Sequence, residues 1–525
     1  MNQPSRNQMK RFAWAVVVSL ASWTAPPPAS AAGGVLKLTT RDPDTEGAVP
    51  VRLELQSDSG RRTAVRRTVR SGPGMVLDRE IELNLNPGTY RFRVVRGPEY
   101  RVISGHFEVQ PGASDERVIE LLRMVDMRSE GYLAGDLAWG GPDNGDLALR
   151  MAAEDVHVAA VIRGATPRIR GGADQQGDSG AAPWTGQTAH REGDWLLYPG
   201  PDEPAFRSDS GDSRLDSTSL PVAFGTHPAW QEPGTRAVIA NPFAWELPIW
   251  LAGRPVDGIL LLGDWLREGT RVDRVRQGRP PAEIGFTGEH GPGRYAAKIY
   301  QRLLEAGFRI PPLAGSGPTA TDAAIGYNRT YAVGPSADAG DDRQVRPIES
   351  EVEYYQAAWA GRTVLTNGPL LRPTLGGKAP GHVFRARSGE VLRMSVELQL
   401  AVRDPVDYLE VIQNGETVHS VRLDEFSLAG GTIPELTFET SGWVMVHVVT
   451  QYPDHFRAAI SAPWYVDFDE TPRISRQAVE FFRTWLADCE AELKKLPPER
   501  LADYVQPVRA ARSFWQRRAA LANAD

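Results

Sequence analysis

The chain has 525 residues and a formal net charge of −7, with 41% hydrophobic and 24% charged residues. This composition is ordinary for a globular protein of about two to four domains. The acidic balance argues against a general nucleic-acid binder, because contacts to phosphates require a basic surface. The only cysteine is Cys489, which excludes an intramolecular disulfide and a zinc site built from several cysteines.

The first 31 residues have the order of a secretory signal peptide. Lys10 and Arg11 precede the apolar run FAWAVVVSLASW, and the small residues Ala29-Ser30-Ala31 follow it. This pattern predicts cleavage of residues 1–31, a periplasmic or extracellular location, and no transmembrane segment after cleavage.

Short runs of alternating apolar and polar residues continue from Val35 to Leu122. Runs such as REIELNLN and TYRFRVV are separated by turn sequences such as NPGT. Short strands with evenly spaced turns are typical of a β-sandwich. We therefore predict a sandwich module over residues 32–123, and this module shows no candidate chemistry.

Apolar strands alternate with helical stretches over residues 124–370. YLAGDLAW precedes the helical pattern GDLALRMAAEDV, AVIANPF precedes AWELPIWLAG, and GILLLGDWL precedes GRYAAKIYQRLLEAG. This alternation predicts a parallel (β/α) barrel, complete or distorted. Segments rich in Gly, Ser and Asp predict polar inserts within residues 164–219.

Alternating β patterns return over residues 371–470 and predict a second β-sandwich module. Helical patterns follow over residues 471–525, and Pro472, Pro497 and Pro498 mark the expected helix boundaries. They predict one helix near 473–495 and another near 499–522.

Several polar residues follow the predicted barrel strands. Active sites of such barrels lie at the C-terminal ends of the strands, which makes these residues candidates for lining a binding cleft. They are Asp136, His227, Asn241, Asp264, His290, Asn328 and Arg329.

Each candidate also has a structural interpretation. Asp136 and Asp264 can cap turns or helices, and His227 precedes a proline in a loop setting. Arg329 can hold either a carboxylate or phosphate ligand or an internal aspartate.

Motifs for metal binding and nucleophilic catalysis are absent from the sequence. None of the nine histidines forms an HxH or HExxH pair, there is no GxSxG, and the Gly-rich AGSGPTA lacks the lysine of a P-loop. The sequence therefore assigns no catalytic residue, no metal ligand and no cofactor.

Several segments nevertheless resemble the secreted CehA/McbA-type metallohydrolases of the PHP superfamily. The resemblance runs in order from about Val94 to the C-terminal helices. It rests on RGPEY, MRSEGYLAGDLAWGGPDNGDLALRMAAEDVHVAAVI, AVIANPFAWELPIWLAGRPVDGI, EAGFRIPPLAGSG, IGYNRTYAV and AGRTVLTNGPLLRPTLGGKAPGHVF. It implies a distorted (β/α)7 barrel, here flanked by the two predicted sandwiches, and metal-dependent hydrolysis, often of phosphate or related esters, in active members.

The resemblance also implies that the family's metal ligands are missing here. Active relatives continue the GDL segment as GDLHxH, and their two metal-binding histidines correspond to Ala138 and Gly140. A second family segment of Gly-Ser-Asp-x-His character has its nearest match in Gly315-Ser316-Gly317, without the Asp and His. We therefore expect the family fold without its metal centre.

Three functions remain open on these grounds. The leading hypothesis is an exported, non-catalytic protein that binds an unknown small molecule or envelope polymer, or acts as a scaffold at the cell envelope. The alternative is a phosphoesterase-like hydrolase with a rebuilt site, which would use Asp136, His227, Asp264 and His290 with a metal or in acid–base chemistry. A purely structural role is the third.

Strand geometry predicts how the vacated positions are arranged. Positions 136, 138 and 140 have the same parity, so they should face the cleft, while Trp139 points into packing. A buried Asp136 needs a partner, for which Arg329 and His227 are the candidates. On this basis, histidines introduced together at 138 and 140 would restore two ligands on one face.

Overall fold

The computed structural model describes residues 33–45, 47–66, 68–141, 146–163, 183–200, 232–317, 323–335, 345–422 and 433–525. The predicted signal peptide, His227 and most of the predicted polar inserts lie outside the described residues. The chain divides into two units, residues 1–124 with Ala152–Glu154, and the remainder. Each unit is sheet-rich and is described by itself.

The first unit consists of two β-sheets that share one core. Its strands are β1 (Gly34–Asp42), β2 (Gly47–Ala48), β3 (Val51–Ser57), β4 (Arg70–Ser71), β5 (Gly74–Leu77), β6 (Glu80–Leu85), β7 (Gly88–Val95), β8 (Ile103–Val109) and β9 (Ser114–Glu120). One sheet has the order β2-β1-β6 with β9 parallel to β1, and the other has the order β4-β5-β3-β7-β8. Leu36 and Leu83 from the first sheet pack with Leu53 and Val94 from the second. This arrangement is compatible with the sandwich predicted for residues 32–123.

The second unit begins with alternating strands and helices. Its first elements are β10 (Tyr132–Trp139), α1 (Leu147–Glu154), β11 (Val158–Arg163), β12 (Thr188–Glu192), β13 (Trp195–Tyr198), β14 (Arg236–Ile239), α2 (Leu247–Gly253), β15 (Gly258–Leu262), α3 (Gly291–Glu305), β16 (Pro312–Ala314), β17 (Arg329–Val333), α4 (Glu351–Trp359) and β18 (Thr363–Thr366). A short 3-10 turn at 284–286 precedes α3. Helices are few relative to strands.

Seven of these strands form a ring. They are hydrogen-bonded in the order β10 to β16, and a parallel bridge between Trp139 and Gly317 joins the last segment to the first. Most neighbouring pairs are parallel, but β13 is antiparallel to both β12 and β14. The β12–β13 hairpin, which turns at Gly193 with φ of 58°, lies within the span for which the sequence predicts polar inserts.

Alternate residues of the ring strands belong to different cores. Ala160, Leu196, Val238, Leu260 and Leu313, from five of the seven ring strands, form one cluster, as expected for side chains that fill the ring. The intervening residues pack outward with α2, α3 and the C-terminal helices; they include Trp195, Leu197, Ile239, Ile259 and Leu261. Strands buried on both faces explain why these segments read as continuous apolar runs.

Six of the ten strands from residues 370 to 468 extend the same sheet, and the other four form two separate two-stranded sheets. They are β19 (Leu370–Leu375), β20 (Val383–Ala386), β21 (Leu392–Met394), β22 (Val396–Ala401), β23 (Val406–Gln413), β24 (Glu416–Val421), β25 (Leu436–Phe438), β26 (Gly442–Thr450), β27 (Ala458–Ser461) and β28 (Trp464–Phe468). The sheet runs from β10 through β17, β18, β27 and β26 to β23 and β24. The regions predicted as barrel and second sandwich therefore share one sheet.

Two helices end the chain, α5 (Arg476–Leu493) and α6 (Pro498–Ala520). Ser475 caps α5 by accepting a hydrogen bond from the Ala478 N–H at 3.3 Å. Phe482 and Trp485 of α5 and Trp515 of α6 are buried in the core outside the ring. No helix in the described part of the chain has both the length and the apolarity needed to cross a membrane.

Candidate functional site

Asp136 lies near the end of β10 and is fully buried. Its carboxylate accepts hydrogen bonds from three backbone N–H groups, those of Ala138 (3.1 Å), Ser316 (2.9 Å) and Gly326 (2.8 Å). Burial raises the pKa of Asp136, and the backbone hydrogen bonds oppose that shift. The carboxylate therefore holds the end of β10 to two distant segments of the chain.

Arg329 lies close to Asp136 and contacts the same glycine, Gly326. Arg329 is buried and donates hydrogen bonds to the carbonyls of Gly326 (2.6 Å) and Asp155 (3.3 Å). Asp136 accepts from the N–H of Gly326 and Arg329 donates to the C=O of the same residue, so Gly326 links the two side chains that the sequence predicts as partners. The other predicted partner, His227, lies outside the described residues.

Ala138 and Gly140, the positions that the family resemblance equates with ligand histidines, lie in a packed seam, defined here as residues 138–140 paired with residues 315–317. The Gly317 N–H donates to the Ala138 carbonyl, and the Gly140 N–H donates to the Gly317 carbonyl at 3.3 Å. A Cβ added at Gly315 would lie 2.5 Å from the Cβ of Ala138, which is itself fully buried. The backbone of one segment therefore occupies the space next to the other.

A β-bulge in β10 modifies the predicted alternation. Asp136 pairs with Ala159 and Trp139 pairs with Val161, so β10 has one extra residue between the two pairs. Ala138 packs in the cluster that fills the ring, whereas Trp139 packs with α1 residues such as Met151. The Trp139 side chain is thus packed against α1, as the alternation of side chains along the strand predicts. Because of the bulge, this alternation alone does not determine which way the Ala138 side chain faces.

Asp264, two residues after the end of β15, contacts the seam. A Cβ added at Gly317, whose φ is +86°, would lie only 1.8 Å from the Cβ of Asp264. Asn328 holds the Asp264 turn by donating to the carbonyls of Gly263 (2.8 Å) and Leu266 (2.9 Å). Asp136, Asp264 and Asn328 are therefore brought together around residues 315–317.

A partly exposed polar group extends from Asp264. The Arg191 guanidinium lies 3.4 Å from the Asp264 carboxylate, and these side chains are 27% and 26% exposed. Asn241 donates to the Asp194 carboxylate at 3.2 Å. Burial raises the pKa of Asp194, Arg191 and Asn241 oppose the shift, and the nearby Asp264 adds to it. We call Arg191, Asp194, Asn241 and Asp264 the rim group.

His290 belongs to a different part of the second unit. It precedes α3, its Nε2 lies 2.8 Å from the Tyr452 carbonyl, and its ring packs against Phe456. None of its described contacts involves Asp136, Asp264 or the rim group. Of the four residues named for a rebuilt hydrolase site, Asp136 and Asp264 therefore lie together, His290 makes its described contacts elsewhere, and His227 lies outside the described residues.

A buried hydrogen-bonded chain lies beside the candidate site. The Nδ1 of His455 is 2.9 Å from the Thr270 carbonyl, and its Nε2 is 2.7 Å from the Tyr327 hydroxyl. Arg457 donates to the same hydroxyl at 2.9 Å. The carbonyl requires Nδ1 to carry the proton, so the hydroxyl donates to Nε2. Burial lowers the pKa of His455 to about 4, so the ring is neutral at pH 7.

Glu246 is a second buried carboxyl near the rim group. It is 2% exposed and immediately precedes α2. Burial raises its pKa to about 8, and the charge of Asp194 adds to the shift. The Tyr504 hydroxyl of α6 lies 3.5 Å from its Oε1. Glu246 therefore carries a proton at pH 7 in the folded chain.

The described side chains do not form a metal centre. Among the described ranges, no group of three or more His, Cys, Asp or Glu residues is arranged to hold a metal ion. Of the two described carboxylates next to the seam, Asp136 already accepts three backbone N–H groups and Asp264 lies 3.4 Å from the Arg191 guanidinium. The donor set around the seam therefore does not fit the metal that the PHP resemblance implies.

Sequence reasoning missed the rim residues Asp194 and Arg191 and the pairing of Tyr327 with His455. Asp194 precedes β13, which is antiparallel to both neighbouring strands. The start of β13 therefore lies beside the C-terminal ends of the parallel strands, and the sequence does not reveal this strand direction. His455 lies in a β-like region far from Tyr327 in sequence. The start of α4 could have been predicted from the sequence, because Ser350 and Glu353 have the spacing of a capping box.

Comparisons with known proteins do not identify a family. No family model matches the chain, and no curated protein matches it. Structural matches include the N-terminal four Ig domains of Dscam1 isoform 7.44, at 8% identity and a TM-score of 0.14, covering 84% of this chain and 73% of that one. Dscam1 isoform 4.4 matches at 9% identity and a TM-score of 0.13, covering 83% and 73%. TM-scores this low do not indicate a shared fold.

Proposed function

We propose that this chain is an exported, non-catalytic protein of PHP type, which keeps a distorted (β/α)7 barrel and has lost the metal centre. It would bind a small molecule or envelope polymer, or act as a scaffold, in the periplasm or outside the cell. The seven-stranded ring and the position of Asp136 and Asp264 at the C-terminal ends of its strands support this proposal.

The observation that carries the proposal is the packed seam. At the two positions where active relatives have metal-binding histidines, this chain has Ala138 and Gly140, and both segments of the seam are hydrogen-bonded to each other. The loss therefore involves the backbone around the site as well as two side chains. Replacing Ala138 and Gly140 with histidine would crowd the seam, so we now expect such a variant to lose stability without gaining zinc affinity.

Metal content and thermal stability test this proposal. The mature protein, purified without added metal and again after incubation with zinc or manganese, should contain far less than one equivalent of either. Its Tm should be the same with and without a chelator, because only a ligand of the folded state raises Tm. Stoichiometric metal together with a chelator-sensitive Tm would contradict the proposal.

The rim group supports a second candidate function, a hydrolase that works by acid–base chemistry. Burial raises the pKa of Asp194, and the Asp264 carboxylate lies nearby, so the pair could supply the two carboxyl groups that acid–base hydrolysis requires. This candidate predicts hydrolysis of p-nitrophenyl phosphate that is lost in both Asp194→Asn and Asp264→Asn. The exposed Asp273→Asn variant is the matched control. Equal rates in all four proteins would eliminate the hydrolase.

A further inference from the structure

The second unit contains a cavity of about 530 Å³ at the end of β10 opposite the seam. Tyr132, the first residue of β10, lines the cavity, whereas Trp139, the last residue, lies in the seam. A strand rises about 3.3 Å per residue, so these two residues lie about 23 Å apart. The cavity is therefore separate from the candidate site described above.

Positive side chains dominate the charge of this cavity. Arg362, Lys378 and Arg385 line it together with His382, and Glu397 is the only acidic residue among the described lining residues. The whole chain carries a net charge of −7, so this concentration of positive charge runs against the overall composition. Local positive charge in a concave site favours an anionic ligand.

The loop that carries Lys378 is fixed by its backbone. Gly376 and Gly377 have φ of 53° and 74°, which form a tight turn closed by hydrogen bonds between Leu375 and Lys378 in both directions. The Trp464 indole N–H donates to the Lys378 carbonyl at 2.9 Å. The position from which the lysine extends is thus set before any ligand binds, which lowers the entropic cost of binding.

Arg362 and Thr374 provide donors inside the cavity. The Arg362 Nε donates to the Val333 carbonyl at 3.3 Å, and no described carboxylate pairs with this guanidinium. Burial lowers the pKa of Arg362, which reflects the cost of keeping an uncompensated charge there. The Thr374 hydroxyl is buried and has no hydrogen-bond partner among the described residues. An anion with several acceptor oxygens would satisfy both groups.

We propose that this cavity is a binding site for a ligand that carries a phosphate group. The Arg362 guanidinium and the Lys378 ammonium can donate hydrogen bonds to the several oxygens of a phosphate. The cavity volume suits a small organic molecule. Tyr132, Ala379, Pro380 and Val383 form an apolar wall for its organic part. This site is independent of the function proposed for the ring.

Calorimetric titration of the mature protein with phenyl phosphate and inorganic phosphate tests the proposal. We expect both to bind, phenyl phosphate more tightly because its ring contacts the apolar wall, and both more weakly at high salt. The double variant Lys378→Gln/Arg385→Gln should bind phenyl phosphate about tenfold or more weakly, because two charged donors are lost. The exposed Arg393→Gln variant is the matched control and should bind like the wild type.

Three results would overturn the proposal. The first is no heat of binding with either phosphate probe at millimolar concentration. The second is binding that the double variant and the control variant weaken equally. The third is tight binding of citrate without binding of either phosphate, which would assign the cavity to carboxylates.

Discussion

The two ends of β10 show opposite uses of polar residues. At the Trp139 end, Asp136 is fully buried and its hydrogen bonds connect backbone segments of the ring. At the Tyr132 end, Arg362 and Lys378 line an open cavity, and the backbone around them is already satisfied. A buried charge with all its partners inside the protein stabilises a fold, whereas charges facing a cavity can bind a ligand. The comparison shows that a carboxylate at the end of a ring strand, a position where the sequence predicts a binding cleft, can serve a structural role.

The largest effect is expected at the seam. Gly317→Ala places a methyl group against Asp264 at a residue with φ of +86°, so we expect a loss of about 4 kcal/mol in the free energy of unfolding. Gly269→Ala is the matched control, because Gly269 has φ of +66° but no described heavy atom near an added Cβ. It should lose only about 1 kcal/mol. Urea denaturation measures both, and equal losses would show that the seam is not tightly packed.

Asp136→Asn should have the next largest effect. The asparagine NH₂ group would face at least one of the three backbone N–H donors, so we expect a loss of about 3 kcal/mol in the free energy of unfolding. Asp273→Asn, at an exposed position, should change it by less than about 0.5 kcal/mol. An Asp136→Asn protein as stable as the wild type would show that the three hydrogen bonds to this carboxylate do not hold the seam.

The pH dependence of stability tests the hydrogen-bonded chain beside the seam. The pKa of His455 is about 4 in the folded protein and 6.5 in its ordinary state, so the unfolded chain binds more protons between these values. Stability from this residue is therefore complete above pH 6.5 and is lost as the pH falls toward 4, by about 3 kcal/mol.

Denaturation at pH 7.0 and 4.5 separates this contribution from that of other groups. His455→Gln should be less stable than the wild type at pH 7.0 and should show a smaller further loss at pH 4.5. The buried His447, whose pKa burial also lowers to about 4, stays in both proteins and supplies the remaining slope. Parallel losses in the two proteins would mean that the pKa of His455 is not lowered in the folded state.

The smallest effect on stability is expected at the cavity. Lys378→Gln/Arg385→Gln should change the free energy of unfolding by less than about 0.5 kcal/mol, because these side chains are not fully buried. A large destabilisation would place these cations in the structural framework and would remove the contrast between the two ends of β10.

Much of the secondary structure was accessible from the sequence. Apolar runs such as GILLLGDWL marked ring strands, and the amphipathic pattern from Tyr295 to Leu304 marked α3. The ends of strands also located Asp136 and Asp264 without any alignment. These features depend on local periodicity, which a sequence records directly.

The remaining features depend on interactions between distant residues. The bulge in β10, the reversal of β13 and the pairing of residues 138–140 with 315–317 are set by how strands meet. The cavity at Tyr132 combines residues from several separate segments, and its lysine was noted only as part of a family-like motif. Local patterns do not specify such contacts, so neither the seam nor the cavity could be derived from the sequence alone.

The seam also bears on how the chain folds. Asp136 and Ser316 are 180 residues apart, so the ring closes only when the two ends of a long stretch of chain meet. Closing such a loop costs chain entropy before the stabilising hydrogen bonds can form. Closure is therefore expected to be slow. We therefore expect the N–H group of Gly317 to gain protection late in refolding, after the N–H groups of α3, in a pulsed hydrogen-exchange experiment. Protection of both at the same rate would indicate that the ring forms in one concerted step.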